Sequence, residues 1–595
     1  MPIRMRLPRV QRAAGCAREP ASAADAYTET SMKWDLLIRD ARVVDGTGAP
    51  SVREDVAVGD GRIVARGHLE GEAAETVDAG GLGLMPGIVD LHTHYDAQVT
   101  WDPTCSPSPG LGVTTAVIGN CGFGIAPCPP ALRETMARNL SVVEGMDLQA
   151  LQTGIRWEFE TFTEYLEQIR RSGPYLNLAV FAGHSTIRTA VMGAEASTRA
   201  EPTADELARM TALVAEAIDA GAVGFASSFS PNHSGYGGVP MPSTIAPDHE
   251  LAALVGVLGT KGRGVFMSAT GPRATPEYME NLAAATGRPM FISTVLSMYS
   301  DAAPERGRVM YERCAQALDR GREVYIQTSC QPLSFEFDLL SPYVLYSHPA
   351  FEPVKAANGD RAVLQRLYRD PALREQFRAN LRAPAEGILF HGDWNQIEIK
   401  AARPGNAAAD ECSVAALARA QGRDPVDLMF DFALGEDLET RFIGKFFQNR
   451  DAGVAPLITH RASVITLSDA GAHLAYLCDA GFGVHLLSHW VRETGTFTLE
   501  EAVRRLTSHP ADLYRIADRG RIVPGAWADL VLFDPDAIAL SKMRAVDDLP
   551  GGGRRMVRDA RGVQGVWVNG RRTWDGEKVV PLPHGPGRVL DRFAA

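Results

Sequence analysis

No uninterrupted apolar run in this 595-residue chain approaches the roughly 18–20 residues needed to cross a bilayer, so a soluble protein with no membrane partner is expected. Cysteine is sparse. Its eight positions (16, 105, 121, 128, 314, 330, 412 and 478) are irregularly spaced, which excludes a disulfide framework and points to a reducing cytoplasm. There is no basic excess either. With 60 Lys and Arg against 72 Asp and Glu, the net charge of −12 argues against nucleic acid as a partner, because no surplus cation is present to neutralise phosphates. No early G-x-G-x-x-G follows a strand, which removes the usual sign of a dinucleotide fold. What is present is ordinary globular composition, 45% hydrophobic and 22% charged, with ample material for a large core.

The texture changes along the chain. Residues 1–31 are Arg- and Ala-rich at the start and lack an apolar core. They are expected to form a disordered extension ahead of Met32, with a transit peptide as the alternative. From Met32 onward, short β-branched segments such as "DLLIRDARVVDG" and "DVAVGDGRIVARG" are divided by Gly-containing turns. The same pattern returns in "GRIVPGAWADLVLFDP" and "VQGVWVNGRRTW" near the C-terminus, so one small β-sandwich built from both chain ends is expected. Between them, apolar runs alternate with helical segments. "VTTAVIGNCG", "LNLAVFAGHS", "AVGFASSFS", "GVFMSA", "PMFISTVLS", "EVYIQTSCQP" and "SVITLSDAGAH" read as strands buried on both faces, as in a parallel sheet. Thr203 and Glu206 have capping-box spacing, and Leu207, Met210, Val214 and Ile218 repeat helically up to Gly221. The fold class is therefore α/β: a (β/α)8 TIM-type barrel over 86–515, with the β-sandwich formed by 32–85 and 516–595.

Chemistry-bearing residues fall at strand ends. In "MPGIVDLHTHYD" (85–96), His92 and His94 are alternate residues on an extended segment and point the same way, which suits zinc or a related divalent ion. Cys121 follows an apolar strand in "GVTTAVIGNCGFGIAP" and, as a thiolate, could ligate a borderline metal, or it could be a buried inert thiol. Asp469 in "VITLSDAGAHL" could ligate a metal, shuttle a proton, or simply cap a helix. Together these side chains could build one open metal site at a barrel mouth.

This set resembles the amidohydrolase superfamily. "MPGIVDLHTHYD" is similar to its first-strand H-x-H motif, and "GRIVPGAWADLVLFDP" to its C-terminal signature. "GNCGFGIAP" and "GHSTIR" (183–188) narrow the resemblance to the D-aminoacylase (N-acyl-D-amino-acid deacylase) branch, over about residues 34–580. The resemblance implies metal ligation by His92, His94 and Cys121, with Asp469 as general acid/base and further ligand. The cofactor would be zinc, one ion or two, or another divalent metal. The implied reaction is hydrolysis of the amide of a small N-acylated substrate, in which metal polarises the carbonyl and Asp469 passes a proton to the departing nitrogen. A cyclic amide or another acylated amine is the alternative substrate.

Two departures stand out. The branch has a histidine at the end of strand five, where this chain has Ala269, and another at the end of strand six, where it has Thr294. No histidine lies between His249 and His348, so a register slip cannot restore both. Three arrangements follow. His92, His94 and Asp469 hold the metal beside Cys121, or a histidine from elsewhere (His184, His233, His391, His460 or His473) substitutes, or the site is degraded and the protein binds without hydrolysing. For the substrate, the aromatic segment 327–353 suits a loop over the barrel mouth or a stretch packed against the outer helices. Arg188 and Arg273 are candidates for a substrate carboxylate.

Overall fold

A computed structural model describes residues 33–593 except 231–232, 270, 272, 294–297, 302, 384–387, 401–402 and 473–479. Its centre is an eight-stranded parallel sheet in strict sequence order. We number its strands β1 (Ile88–Asp90), β2 (Val113–Ile118), β3 (Asn177–Gly183), β4 (Gly224–Ser228), β5 (Val265–Ala269), β6 (Met290–Ser293), β7 (Val324–Thr328) and β8 (Ser463–Ile465). Beyond β8 the chain continues as Leu467–Ala470, which pairs in parallel with His92–Thr93 just beyond β1 and closes the barrel. Every residue of β2, β3 and β4 is buried, which is why these strands read as unbroken apolar runs rather than alternations.

Local sequence sets the helices between strands. Ala204–Ala220 starts with the complete Thr203–Glu206 capping box and ends at Gly221, whose φ of 110° suits a residue without Cβ. Met210, Val214 and Ile218 bury its inner face.

The chain ends share one mixed eight-stranded sheet. Lys33–Val43, Val52–Gly59, Arg62–Gly67, Glu72–Asp78 and Gly83–Pro86 come from the N-terminal side. Leu530–Phe533, Val563–Val568 and Arg571–Trp574 complete it, and the two ends meet where Gly83–Pro86 pairs antiparallel with Leu530–Phe533. No helix among the described residues is long and apolar enough to cross a membrane.

One element departs from the sequence expectation. Segment 327–353 does not form a simple loop over the mouth. It opens an insertion between β7 and β8 that contains a three-stranded antiparallel sheet, Leu333–Asp338, Arg441–Phe447 and Ile397–Lys400. Phe337, Leu345 and Phe351 are buried in a hydrophobic core of this insertion, distinct from the barrel core. Aromatic side chains that suggested a ligand cover instead satisfy the insertion's own need for apolar burial.

Candidate functional site

The candidate residues meet at the barrel's closing seam. His92 begins the short pairing with the β8 extension, and the backbone N–H of His94 donates to the Ala470 carbonyl at 2.7 Å. Asp469 lies in that extension at φ 50°, and Cys121 lies in the turn after β2 at φ 54°. Left-handed backbone is costly for residues with a Cβ, of order 1–3 kcal/mol each, and such strain concentrates at functional sites. Glycine makes the Cys121 turn feasible. A Cβ on Gly122 would stand 2.8 Å from the Ala226 carbonyl oxygen and 3.1 Å from the His184 nitrogen.

Each histidine is held from behind by one ring nitrogen. His92 Nδ1 lies 2.8 Å from Gln327 Oε1 and 3.0 Å from Ser293 Oγ. His94 Nδ1 lies 3.3 Å from Glu144 Oε1, and Glu144 is itself buried at the end of the helix Arg133–Val143. The Nε2 atoms share a common space. His92 Nε2 is 3.6 Å from Cys121 Sγ and 3.2 Å from Asp469 Oδ1, while His94 Nε2 is 3.5 Å from the same Asp469 oxygen. Ligand atoms of His92, His94 and Cys121 all lie within 4.8 Å of one another. Donors around a tetrahedral zinc, with bonds of 2.0–2.3 Å, stand about 3.3–3.8 Å apart. Two imidazoles, a sulfur and a carboxylate therefore offer a donor set that fits a divalent ion with little rearrangement.

Without an ion these groups keep protons that a bound cation would displace. Burial would push the His94 imidazole down, but the Glu144 carboxylate, aided by Asp469 and Cys121, holds it well above the usual histidine value. Burial raises the Cys121 thiol to about 11, against the opposing influence of His94. Asp96 accepts the Gly119 N–H at 2.9 Å, tying the H-x-H segment to the turn carrying Cys121, and burial lifts its carboxyl to about 6.

The other sequence candidates have different fates. Arg188 is fully buried. Its guanidinium ion-pairs with Glu250 and donates to the Ala196, Arg199 and Ala200 carbonyls, so it is a framework residue rather than a receptor for substrate. Arg273 donates to the Ala246 carbonyl at 2.6 Å and pairs with Asp248 at 3.0 Å, over the Phe229 ring, so it braces the loops beyond β4 and β5. His184 is buried between Ser227 Oγ (2.9 Å) and Glu250 Oε1 (2.8 Å). His233 Nδ1 meets Ser228 Oγ at 2.7 Å, His391 bonds the Ile388 carbonyl, and His460 bonds the Ala462 N–H. Ala269 is buried at the end of β5, in register with Ser228 on one side and Ser293 on the other. Thr294 and His473 lie outside the described residues.

Sequence reasoning missed Glu144, Gln327 and Ser293. Gln327 and Ser293 carried a usable signal, since each is a polar residue near the end of a buried barrel strand. Glu144 carried none, because a glutamate at a helix end is ordinarily a solvated one.

A family model described as the amidohydrolase family matches residues 75–574. The N-acyl-D-glutamate deacylase of Alcaligenes xylosoxydans xylosoxydans is 27% identical over 568 residues, spanning 95% of this chain and 98% of that protein. The D-aminoacylase of the same organism is 27% identical over 576 residues, spanning 95% and 99%. Among solved structures, the N-acyl-D-glutamate deacylase from Bordetella bronchiseptica, complexed with zinc and a phosphonate inhibitor that mimics the tetrahedral intermediate, is 26% identical with a TM-score of 0.64. That similarity covers 94% of this chain and all of the other.

Proposed function

The chain belongs to the amidohydrolase family, and from that premise we propose that it is a metal-dependent hydrolase that releases D-amino acids from small N-acyl forms. The observation that carries the proposal is the convergence of His92, His94, Cys121 and Asp469 at the closing seam. In this reading His92 and His94 would hold the ion through Nε2 and Cys121 through Sγ, with the Asp469 carboxylate as a further ligand. The ion would be zinc, because imidazole and thiolate donors suit it, and these four residues would form one site. A divalent ion held there would polarise the scissile carbonyl and make water more acidic. The Asp469 carboxylate, through the oxygen not engaged by the ion, takes the proton of the attacking water and delivers it to the departing nitrogen. Gln327 and Ser293 keep His92, and Glu144 keeps His94, turned so that Nε2 faces the reacting groups. The six free cysteines among the described residues support a reducing, cytoplasmic setting as part of the same reading.

Ala269 favours a second reading. An apolar methyl stands where a further donor would complete a fuller ligand set, which suits a binding protein that does not hydrolyse. One measurement separates the two. Protein is loaded with zinc, desalted, and assayed for metal beside a His92→Ala/His94→Ala control. About one zinc per chain, lost in the control, supports the hydrolase and directs assays to matched N-acyl-D- and L-amino acids. No zinc above the control leaves the binding protein as the better account.

A further inference from the structure

Away from the seam, a cleft of about 330 Å³ lies between the insertion and the C-terminal segment. The insertion's strands supply Glu398, Lys400 and Lys445, and Glu411 joins them by hydrogen-bonding its backbone N–H to the Ile399 carbonyl. The opposite wall supplies Lys542, next to the strand Ala539–Leu540, and Arg558, between Gly553–Val557 and Ala560–Arg561.

The charges do not balance. Lys445 pairs with Glu398 at 2.5 Å, while Lys400 (2.8 Å) and Lys542 share Glu411. Four cations thus face two carboxylates, leaving two positive charges in excess within a chain whose net charge is −12. Arg558 is the odd member. It has no hydrogen bond or ion pair among the described residues, and its Nε is buried without an acceptor. Buried donors usually have a partner, which leaves Arg558 as the one cation of this cleft not already paired with a carboxylate. The imbalance also reaches nearby groups. Burial, His489 and the charges of Arg558 and Lys445 push the His485 imidazole down to about 3.

We propose that this cleft binds a phosphate-class dianion, held by the Arg558 guanidinium with Lys445, Lys400 and Lys542 around it. A phosphate group matches the two excess charges near neutral pH, and its oxygens can accept from the forked guanidinium and from ammonium groups together. A ligand there would bridge the insertion to the C-terminal segment. None of the lining side chains belongs to the donor set at the seam, so the proposal stands or falls independently of the hydrolase assignment.

The test titrates the full chain with inorganic phosphate, glycerol 2-phosphate and succinate, each against sodium chloride of matched ionic strength, by calorimetry and thermal unfolding. Saturable binding of a phosphate compound, weakened at least tenfold in Arg558→Gln and measurably in Lys542→Gln, is the expected result. Arg558 has no ion-pair partner to strand and the Lys542 side chain is 79% exposed, and circular dichroism confirms that each variant folds before binding is read. Tighter binding of the ester identifies a phosphate monoester as the ligand, and tighter binding of inorganic phosphate identifies the free ion. Either order supports the site. The proposal is overturned if no phosphate effect exceeds chloride, if succinate binds equally well, or if Arg558→Gln binds phosphate undiminished, since the anion would then lie elsewhere.

Discussion

Two buried histidine–carboxylate clusters stand beside one another at the ends of the barrel strands, and they have opposite characters. Around β3 and β4, His184 has both ring nitrogens engaged, one by Ser227 and one by Glu250, while Arg188 neutralises the same carboxylate. All of these side chains are inaccessible. At the seam, His92 and His94 each have one nitrogen braced from behind and the other turned toward Cys121 and Asp469. The first cluster is complete in itself, whereas the second converges on a space that an added cation would fit. Histidine and carboxylate content does not distinguish them. The direction of the remaining ring nitrogen does.

The most severe way to break this contrast is at the seam. Asp469→Asn should lower hydrolysis of an N-acyl-D-amino acid by about 10²–10⁴-fold, the scale of general acid–base catalysis, with circular dichroism unchanged. Unaltered turnover would remove Asp469 from the mechanism. In the closed cluster the expected cost is stability instead. Glu250→Gln leaves the buried Arg188 charge uncompensated and should destabilise the fold by about 3–5 kcal/mol in denaturant titrations. A variant as stable as the parent would show that Arg188 is balanced by another group.

Glu144→Gln sharpens the comparison from the other side. It should weaken zinc about 10–100-fold in competition with a chelator, because the Glu144 carboxylate orients His94. If stability falls and zinc affinity holds, Glu144 belongs with the structural cluster. The smallest effect is in pH. Burial depresses the His184 pKa below its usual value near 6.5 despite the raising influence of Glu250. The unfolded chain therefore takes up this proton first. The associated stability is present above about pH 6.5 and is lost as pH falls through and below that value. His184→Gln should flatten the upper part of the acid-unfolding curve, and an unchanged curve would assign that limb to other histidines.

Much of this was legible before folding. The strand ends were correctly located because buried parallel strands are continuous apolar runs with glycine-rich exits, and the helix Ala204–Ala220 because its capping box is local. The four seam residues could be singled out because each follows such a run. Arg188 stood out as a candidate for a substrate carboxylate for the same reason. Its position after β3 is visible in sequence, but its partner Glu250 is 62 residues away. The aromatic segment after β7 was misleading because an apolar run does not say which core it joins.

The sequence by itself determined the kind of barrel, the candidate donor residues and the family they resemble, since these depend on periodicity, turn chemistry and motifs each read within a few residues. Only the tertiary structure decided which imidazole nitrogens face a common centre and which charges are already neutralised. Those outcomes depend on pairs such as His92 with Gln327, 235 residues apart, and His92 with Asp469 across the barrel seam. Ionic and hydrogen-bonding partners are selected by distance in space, and closing the barrel brings these residues within reach.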